Sequence, residues 1–208
     1  SDDNIARDGA GTPEDGLLIC GSSYYGDGID GDNPLLVLLD SNGDSVWSRS
    51  DSVLGRYMSI CPSAQGGYFL TGAGSLIRKI DEDGQTVWTN YGTGNFAVEN
   101  LTEKSNGELF TTGWDTVAHG NIAVSLFDPE GNVLWTGSYG GQETDVCRSG
   151  FPLSEGGYAL IGYRRLEQDG DLQVFKLTEE QMSIPANPLS TLLEKYSLLT
   201  FPNPFNPS

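Results

Sequence analysis

The sequence predicts an all-β fold made of about four repeated units, each of four antiparallel strands, and three observations carry that prediction. A strand motif that closes on glycine occurs four times. A second motif, D-x-x-G-x-x-x-W, follows it in three of the four repeats. The composition, with 28 Gly, 9 Tyr, 8 Phe and 4 Trp in 208 residues, is that of many short strands joined by tight turns.

The glycine-closed strands are DGLLICG ending at Gly21, GGYFLTG at Gly72, NGELFTTG at Gly113 and GGYALIG at Gly162, so the closing glycines lie 51, 41 and 49 residues apart. The second motif reads LDSNGDSVW to Trp47, IDEDGQTVW to Trp88 and FDPEGNVLW to Trp135. In the first repeat these signals place strands over residues 5–12, 17–23, 35–40 and 45–50. Pro13 to Gly16 and Asp40 to Gly43 supply residues that accept positive φ or cap a turn through a side chain, so the flanking strands should pair as hairpins. The joint between second and third strands varies in length, which accounts for the uneven period.

Third strands such as LLVLL (35–39) and NIAVSLF (121–127) are apolar on nearly every residue, as expected where both faces of a sheet are covered. A four-stranded unit of roughly 40–50 residues matches a β-propeller blade; solenoid rungs are shorter and immunoglobulin-like sandwiches do not repeat internally. The expected fold is therefore a run of β-propeller-type blades forming a partial propeller or arc. Trp47, Trp88 and Trp135 would wedge between neighbouring sheets, and Gly21, Gly72, Gly113 and Gly162 are structural with them. A buried indole implies that Trp88→Ala costs roughly 3–5 kcal/mol.

The fourth repeat frays. In VFKLTEEQMSIP, Thr178 stands where the motif has Asp, Gln181 where it has Gly and Pro185 where it has Trp. The repeats are accordingly placed at 1–184, in units 1–51, 52–92, 93–140 and 141–184. A proline-rich linker follows at 185–199, with a short helix around Thr191 to Leu199 as its one helix candidate. Residues 200–208 differ again.

Charge and cysteine usage narrow the function classes. With 29 acidic against 11 basic residues the net charge is -18, which repels nucleic acid and anionic lipid while giving some general affinity for divalent cations. No stretch approaches the roughly 18 apolar residues of a membrane span, and SDDNIARDG lacks the features of an export signal. Cys20, Cys61 and Cys147 include no CxxC pair, and they read as small thiols buried among apolar neighbours.

The repeats resemble those of a large group of secreted bacterial and archaeal propeller proteins, whose units run W-x-x-x-YGG-S-x-x-D-x-A-x-S, T-x-DGGY-x-L-x-G and K-x-D-x-x-G-x-x-x-W. WTGSYGGQETDVCRSGFPLSEGGYALIG (135–162) follows the first two parts closely, and SDDNIARDGAGTPEDGLLICG (1–21) follows them from just after the YGG. The second repeat departs from the pattern at SDSVLGRYMSI, and the third lacks the double glycine, which weakens the idea of one ligand site shared by every blade. The ending YSLLTFPNPFNPS (196–208) resembles the start of the C-terminal sorting domain of type IX secretion substrates. With residue 1 falling in mid-repeat, the two resemblances together imply a chain truncated at both ends, and the second implies engagement of the type IX secretion machinery and a secreted or outer-surface location.

Candidate chemistry is sparse. His119, the only histidine, sits in the polar stretch VAHGN and reads as a loop residue rather than a catalytic base. Asp27, Asp30 and Asp32, with three glycines in YYGDGIDGDNP (24–34), offer oxygen ligands of the kind Ca²⁺ takes. Their spacing fails the EF-hand form, and a plain acidic loop is the competing reading; no other cofactor is expected. The aspartates of D-x-x-G-x-x-x-W read as turn formers, and Asn100-Leu101-Thr102 is a sequon without expected consequence in a bacterial protein. Two functions of different class follow. One is a non-enzymatic scaffold binding an extracellular glycan or protein. The other is a secreted polysaccharide-active hydrolase or lyase using axial carboxylates such as Asp115 or Glu143.

Overall fold

A computed structural model describes residues 3–24, 33–51, 55–92, 96–117, 120–140, 144–165, 170–178, 182 and 199–201. These residues form four four-stranded antiparallel sheets whose strand order follows the chain. Sheet 1 holds β1 (Asp3–Gly11), β2 (Leu17–Tyr24), β3 (Asn33–Leu39) and β4 (Ser45–Ser50). Sheet 2 holds β5 (Tyr57–Pro62), β6 (Tyr68–Gly72), β7 (Leu76–Ile80) and β8 (Thr86–Tyr91), with a 3-10 turn at Ala73–Ser75. Sheet 3 holds β9 (Phe96–Glu103), β10 (Leu109–Asp115), β11 (Ile122–Phe127) and β12 (Val133–Tyr139). Sheet 4 holds β13 (Thr144–Pro152), β14 (Tyr158–Arg165), β15 (Gly170–Leu177) and β16 (Leu199–Phe201). The all-β class and the four-stranded antiparallel repeat are thus those the sequence predicts. Two compact units contain them: residues 1–91 with sheets 1 and 2, and residues 92–208 with sheets 3 and 4.

The aspartate of each D-x-x-G-x-x-x-W motif closes the hairpin between third and fourth strands. Asp40 Oδ1 accepts the Asn42 and Asp44 amides at 2.8 and 2.9 Å. Asp81 Oδ1 accepts the Gln85 amide at 2.7 Å, and Asp128 Oδ1 accepts the Asn132 amide at 2.7 Å. The glycine three residues on takes a left-handed conformation, as at Gly84 with φ 74°. Donors gathered around these carboxylates favour the ionised form: the Asp44 amide holds Asp40 below the usual carboxylate range, and the Asn132 side chain does the same for Asp128.

A second regularity explains the closing glycines. On each first strand the register slips by one residue opposite that glycine, at Arg7, Met58, Glu99 and Arg148. These are β-bulges, and each drives a carbonyl of the first strand toward the glycine. A Cβ at Gly21, Gly113 or Gly162 would meet the oxygen of Ile5, Ala97 or Val146 at 1.9, 1.9 and 2.0 Å; at Gly72 the clash with Arg56 O is 2.7 Å. Glycine is required here by close approach of two backbones.

The outer strands bulge too, at Val46, Val87 and Leu134, each just before its tryptophan. That residue is left exposed while the indole turns partly inward. Trp47 packs on the core of the first unit and Trp135 on that of the second, and Trp88 lies 6.0 Å from Phe69, ring to ring. All three indoles are half-buried.

Within each unit the first strand of the second sheet packs across the first and second strands of the other. In residues 1–91 this buries Leu18, Cys20, Leu36, Tyr57, Ile60 and Leu70. Asp8 ties the two sheets, since its Oδ2 accepts the Ser59 hydroxyl at 2.8 Å and the Ile60 amide at 3.0 Å. In the second unit Phe110 stacks on Tyr158 at 4.2 Å, above Ile122, Val124, Cys147 and Leu160. The position equivalent to Asp8 is Asn100, whose Oδ1 accepts the Gly150 amide at 3.3 Å. The sequon asparagine is therefore engaged between sheets.

Two expectations are modified. Strand β11 is buried along nearly its whole length, whereas β3 is covered chiefly at Pro34 and Leu36. The fourth sheet draws its outer strand from Leu199–Phe201, which pairs with Val174, Gln173 and Leu172 of β15. The division at 184 therefore does not end the fourth sheet: without a local D-x-x-G-x-x-x-W hairpin, the outward edge of β15 takes its partner from further along the chain. Of the short helix expected around Thr191 to Leu199, residues 191–198 lie outside the described ones, and Leu199 itself begins β16.

Candidate functional site

The two ends of each sheet differ in chemistry. One end carries the hairpins from first to second and third to fourth strand, closed by short hydrogen-bonded turns such as Ser63–Gly67 and Asp81–Gln85. The other end carries the second-to-third connections and the crossings to the next sheet, whose lengths vary from repeat to repeat. Surface connections that vary in length are where binding residues concentrate on a rigid scaffold.

Several residues singled out in the sequence lie outside the described ones: Asp27, Asp30, Asp32, His119 and Glu143. Asp115 is described. Its Oδ1 accepts the Val117 amide at 2.9 Å, and its own amide donates to Asn121 O at 2.7 Å, so it shapes the connection from β10 to β11. Among the described residues no group of three His, Cys, Asp or Glu side chains is placed to hold a metal ion. Cys20 and Cys147 are buried and Cys61 is half-buried. Burial pushes the Cys20 thiol from 9.0 up to about 12, with the charge of Asp8 adding to it, and the Cys147 thiol to about 11.

In the first unit a cleft of about 100 Å³ opens at the loop end, lined by Asp51, Arg56, Tyr57, Arg78 and Tyr91 among others. Its floor is closed on itself. Arg78 Nη1 donates to Asp51 and to the Tyr57 hydroxyl, Tyr57 donates to Asp51 Oδ2 at 2.5 Å, and Arg78 Nε donates to Thr89 Oγ1 at 3.0 Å. Burial, reinforced by Asp51, pushes the Tyr57 phenol well above its usual range, so it stays a donor. The network joins the end of β4 to β5 and β7 and reads as structural.

The second unit arranges similar groups in the open. Its two first-strand bulges aim Glu99 and Arg148 at each other, Arg148 Nη1 donating to Glu99 Oε2 at 2.8 Å. The residue after each closing glycine is aromatic. Trp114 Nε1 donates to Glu99 Oε1 at 3.2 Å, while Arg148 Nη2 donates to the Tyr163 hydroxyl at 3.3 Å with its guanidinium 5.5 Å from the ring centre. A row Trp114, Glu99, Arg148, Tyr163 thus runs from sheet 3 to sheet 4. Glu99 is the inner member at 13% side-chain exposure, and Arg148 the outer at 53%. Both rings are half-buried.

Sequence reasoning did not single out these four residues. The signal was present in the aromatic residue following Gly113 and Gly162, but a bulge is needed to bring residues 99 and 148 to the same side.

No family model matches this chain, and no curated protein matches it. Among solved structures it is similar to the crystal structure of a protein of unknown function from Bacteroides caccae. The match has a TM-score of 0.52 at 12% identity and covers 85% of this chain and 74% of that one. The likeness is one of fold. At that identity it carries nothing about ligands.

Proposed function

We propose that this chain is an exported or cell-surface β-propeller module that acts as a non-enzymatic binding scaffold. The observation that carries the reading is the row Trp114, Glu99, Arg148 and Tyr163. Rigid aromatic rings and an oriented guanidinium on neighbouring strands are the groups that dominate recognition surfaces. Among the described carboxylates, Asp40, Asp81 and Asp128 cap turns, Asp8 joins the two sheets, and Asp51, Glu99 and Glu108 pair with cations.

Export through the type IX machinery is supported by the resemblance of residues 196–208 to the opening of a sorting domain, and by the likeness of the repeats to secreted propeller proteins. Two measurements test the proposal. The purified chain is screened against polysaccharides and extracellular proteins with binding and product release followed together; binding without turnover supports the scaffold, and steady product release establishes the hydrolase or lyase instead. The full reading frame, tagged and expressed in a type IX-competent bacterium, should reach the surface or medium. Equal export from a strain lacking the secretion channel would remove that part of the proposal.

A further inference from the structure

We infer that the row of Trp114, Glu99, Arg148 and Tyr163 is a binding subsite for a neutral saccharide, with the two rings and the guanidinium as the contacting groups. The inference rests on the binding-scaffold reading and gives it a site and a ligand class.

The same two positions of the repeat supply each half of the site. The bulge residue of the first strand is charged in both sheets, and the residue after the closing glycine is aromatic in both. Glu99 divides its oxygens between the indole N–H at 3.2 Å and Arg148 at 2.8 Å, and it is largely covered. It therefore positions the other two groups and does not itself meet a ligand. Arg148, half-exposed, lies over one face of the Tyr163 ring as a planar donor array, and the exposed parts of the half-buried rings of Trp114 and Tyr163 supply apolar contact at the two ends of the row. A pyranose ring combines apolar C–H faces with equatorial hydroxyls, so it meets both kinds of group at once.

Charge selects among saccharides. The Glu99 carboxylate already offsets the charge of Arg148, so a uronate or sulfate would gain little net attraction there and would face repulsion from Glu99. It would also approach a chain of net charge -18. A neutral sugar meets neither obstacle. Nor is the site left to loop motion, because each member stands on a strand whose register is fixed by a bulge packed against a glycine with no room for a Cβ.

The test is affinity electrophoresis of the full chain through gels containing a β-glucan, a galactomannan, polygalacturonate or alginate, with reducing-sugar release followed in parallel. At least one neutral polymer should retard the chain while the two polyanions do not. Arg148→Gln and Trp114→Ala should each weaken that retardation about tenfold or more. Arg148→Gln keeps a donor for Glu99 but removes its counter-charge, so the thermal midpoint should fall modestly, and retardation is compared at a temperature where the variant is folded. Tyr163→Phe should lose less than Tyr163→Ala, since it keeps the ring. Retardation by polyanions alone refutes the ligand class. Neutral binding that survives every variant refutes the subsite while leaving the scaffold reading intact. The absence of any polysaccharide binding refutes the inference, and a protein ligand found in the wider screen would then still support the scaffold. If Trp114→Ala unfolds the second unit, Arg148→Gln and the Tyr163 pair decide the matter.

Discussion

Gly113→Ala tests the link between the bulges and the closing glycines. The added Cβ would stand 1.9 Å from Ala97 O, where ordinary contact begins at 3.4 Å, an overlap of about 1.5 Å. The obstacle is backbone, so no side-chain rotation relieves it. Strands β9 and β10 must part, losing the two ladder hydrogen bonds beside the bulge at about 1 kcal/mol each, with a further 1–3 kcal/mol of packing strain. The expected cost is about 3–5 kcal/mol, or a fall of roughly 10–20 °C in the melting temperature of the second unit. Gly11→Ala is the control: nothing lies within 4 Å of its added Cβ and its φ is not positive, so it should be neutral or stabilise by about 0.5 kcal/mol. Urea unfolding followed by tryptophan fluorescence compares the two, Trp114 being next to the substituted residue. Equal midpoints for Gly113→Ala and wild type would show that the strands can slide past the bulge, and the account of the repeated glycine would be abandoned.

Three further outcomes are expected. Trp47→Ala should cost about 2–4 kcal/mol, because its ring lies where a Cβ on Gly84 would come within 2.6 Å and so fills space against the neighbouring sheet. Half-buried Trp88 should lose only about 1–2 kcal/mol, less than full burial implies, and urea midpoints that rank the two in the opposite order would refute this packing. Asp15→Gly should stabilise by roughly 0.5–1 kcal/mol, since Asp15 holds φ 59° where the other three repeats use Gly66, Gly107 and Gly156; an unchanged or lower midpoint counts against it. Folding raises the thiol pKa of Cys20 to about 12 and of Cys147 to about 11, so the folded chain holds these protons more tightly than the unfolded one. The associated stability is whole below pH 9 and is lost as pH climbs through 11–12. Cys20→Ala should therefore flatten the alkaline fall in urea midpoint, and in native protein at pH 8 a thiol reagent should label Cys61 well before the other two.

Much of the fold was legible because turn chemistry is local. The Asp and Gly of D-x-x-G-x-x-x-W declare a hairpin through φ preference and a side-chain cap, whatever the surroundings, and sheet 1 follows the expected strands to within a few residues. The closing glycines were visible as a repeat, but their reason was not: the carbonyl they make room for belongs to a strand some 15 residues earlier, and only the paired register reveals it. The tryptophans recur as the sequence says, yet a bulge on an outer strand leaves them half-buried, and how much of an indole is covered depends on neighbours that periodicity cannot name.

The residues alone thus determined the strand class, the repeat and the tight turns, since each is set by backbone preferences acting over a few positions. Tertiary structure decided the rest. It decided that Leu199–Phe201 completes the fourth sheet, because an open strand edge takes whatever partner the chain can bring to it. It decided that Glu99 and Arg148 share one site, because residues 49 positions apart meet only when two bulged strands from adjacent sheets are packed together.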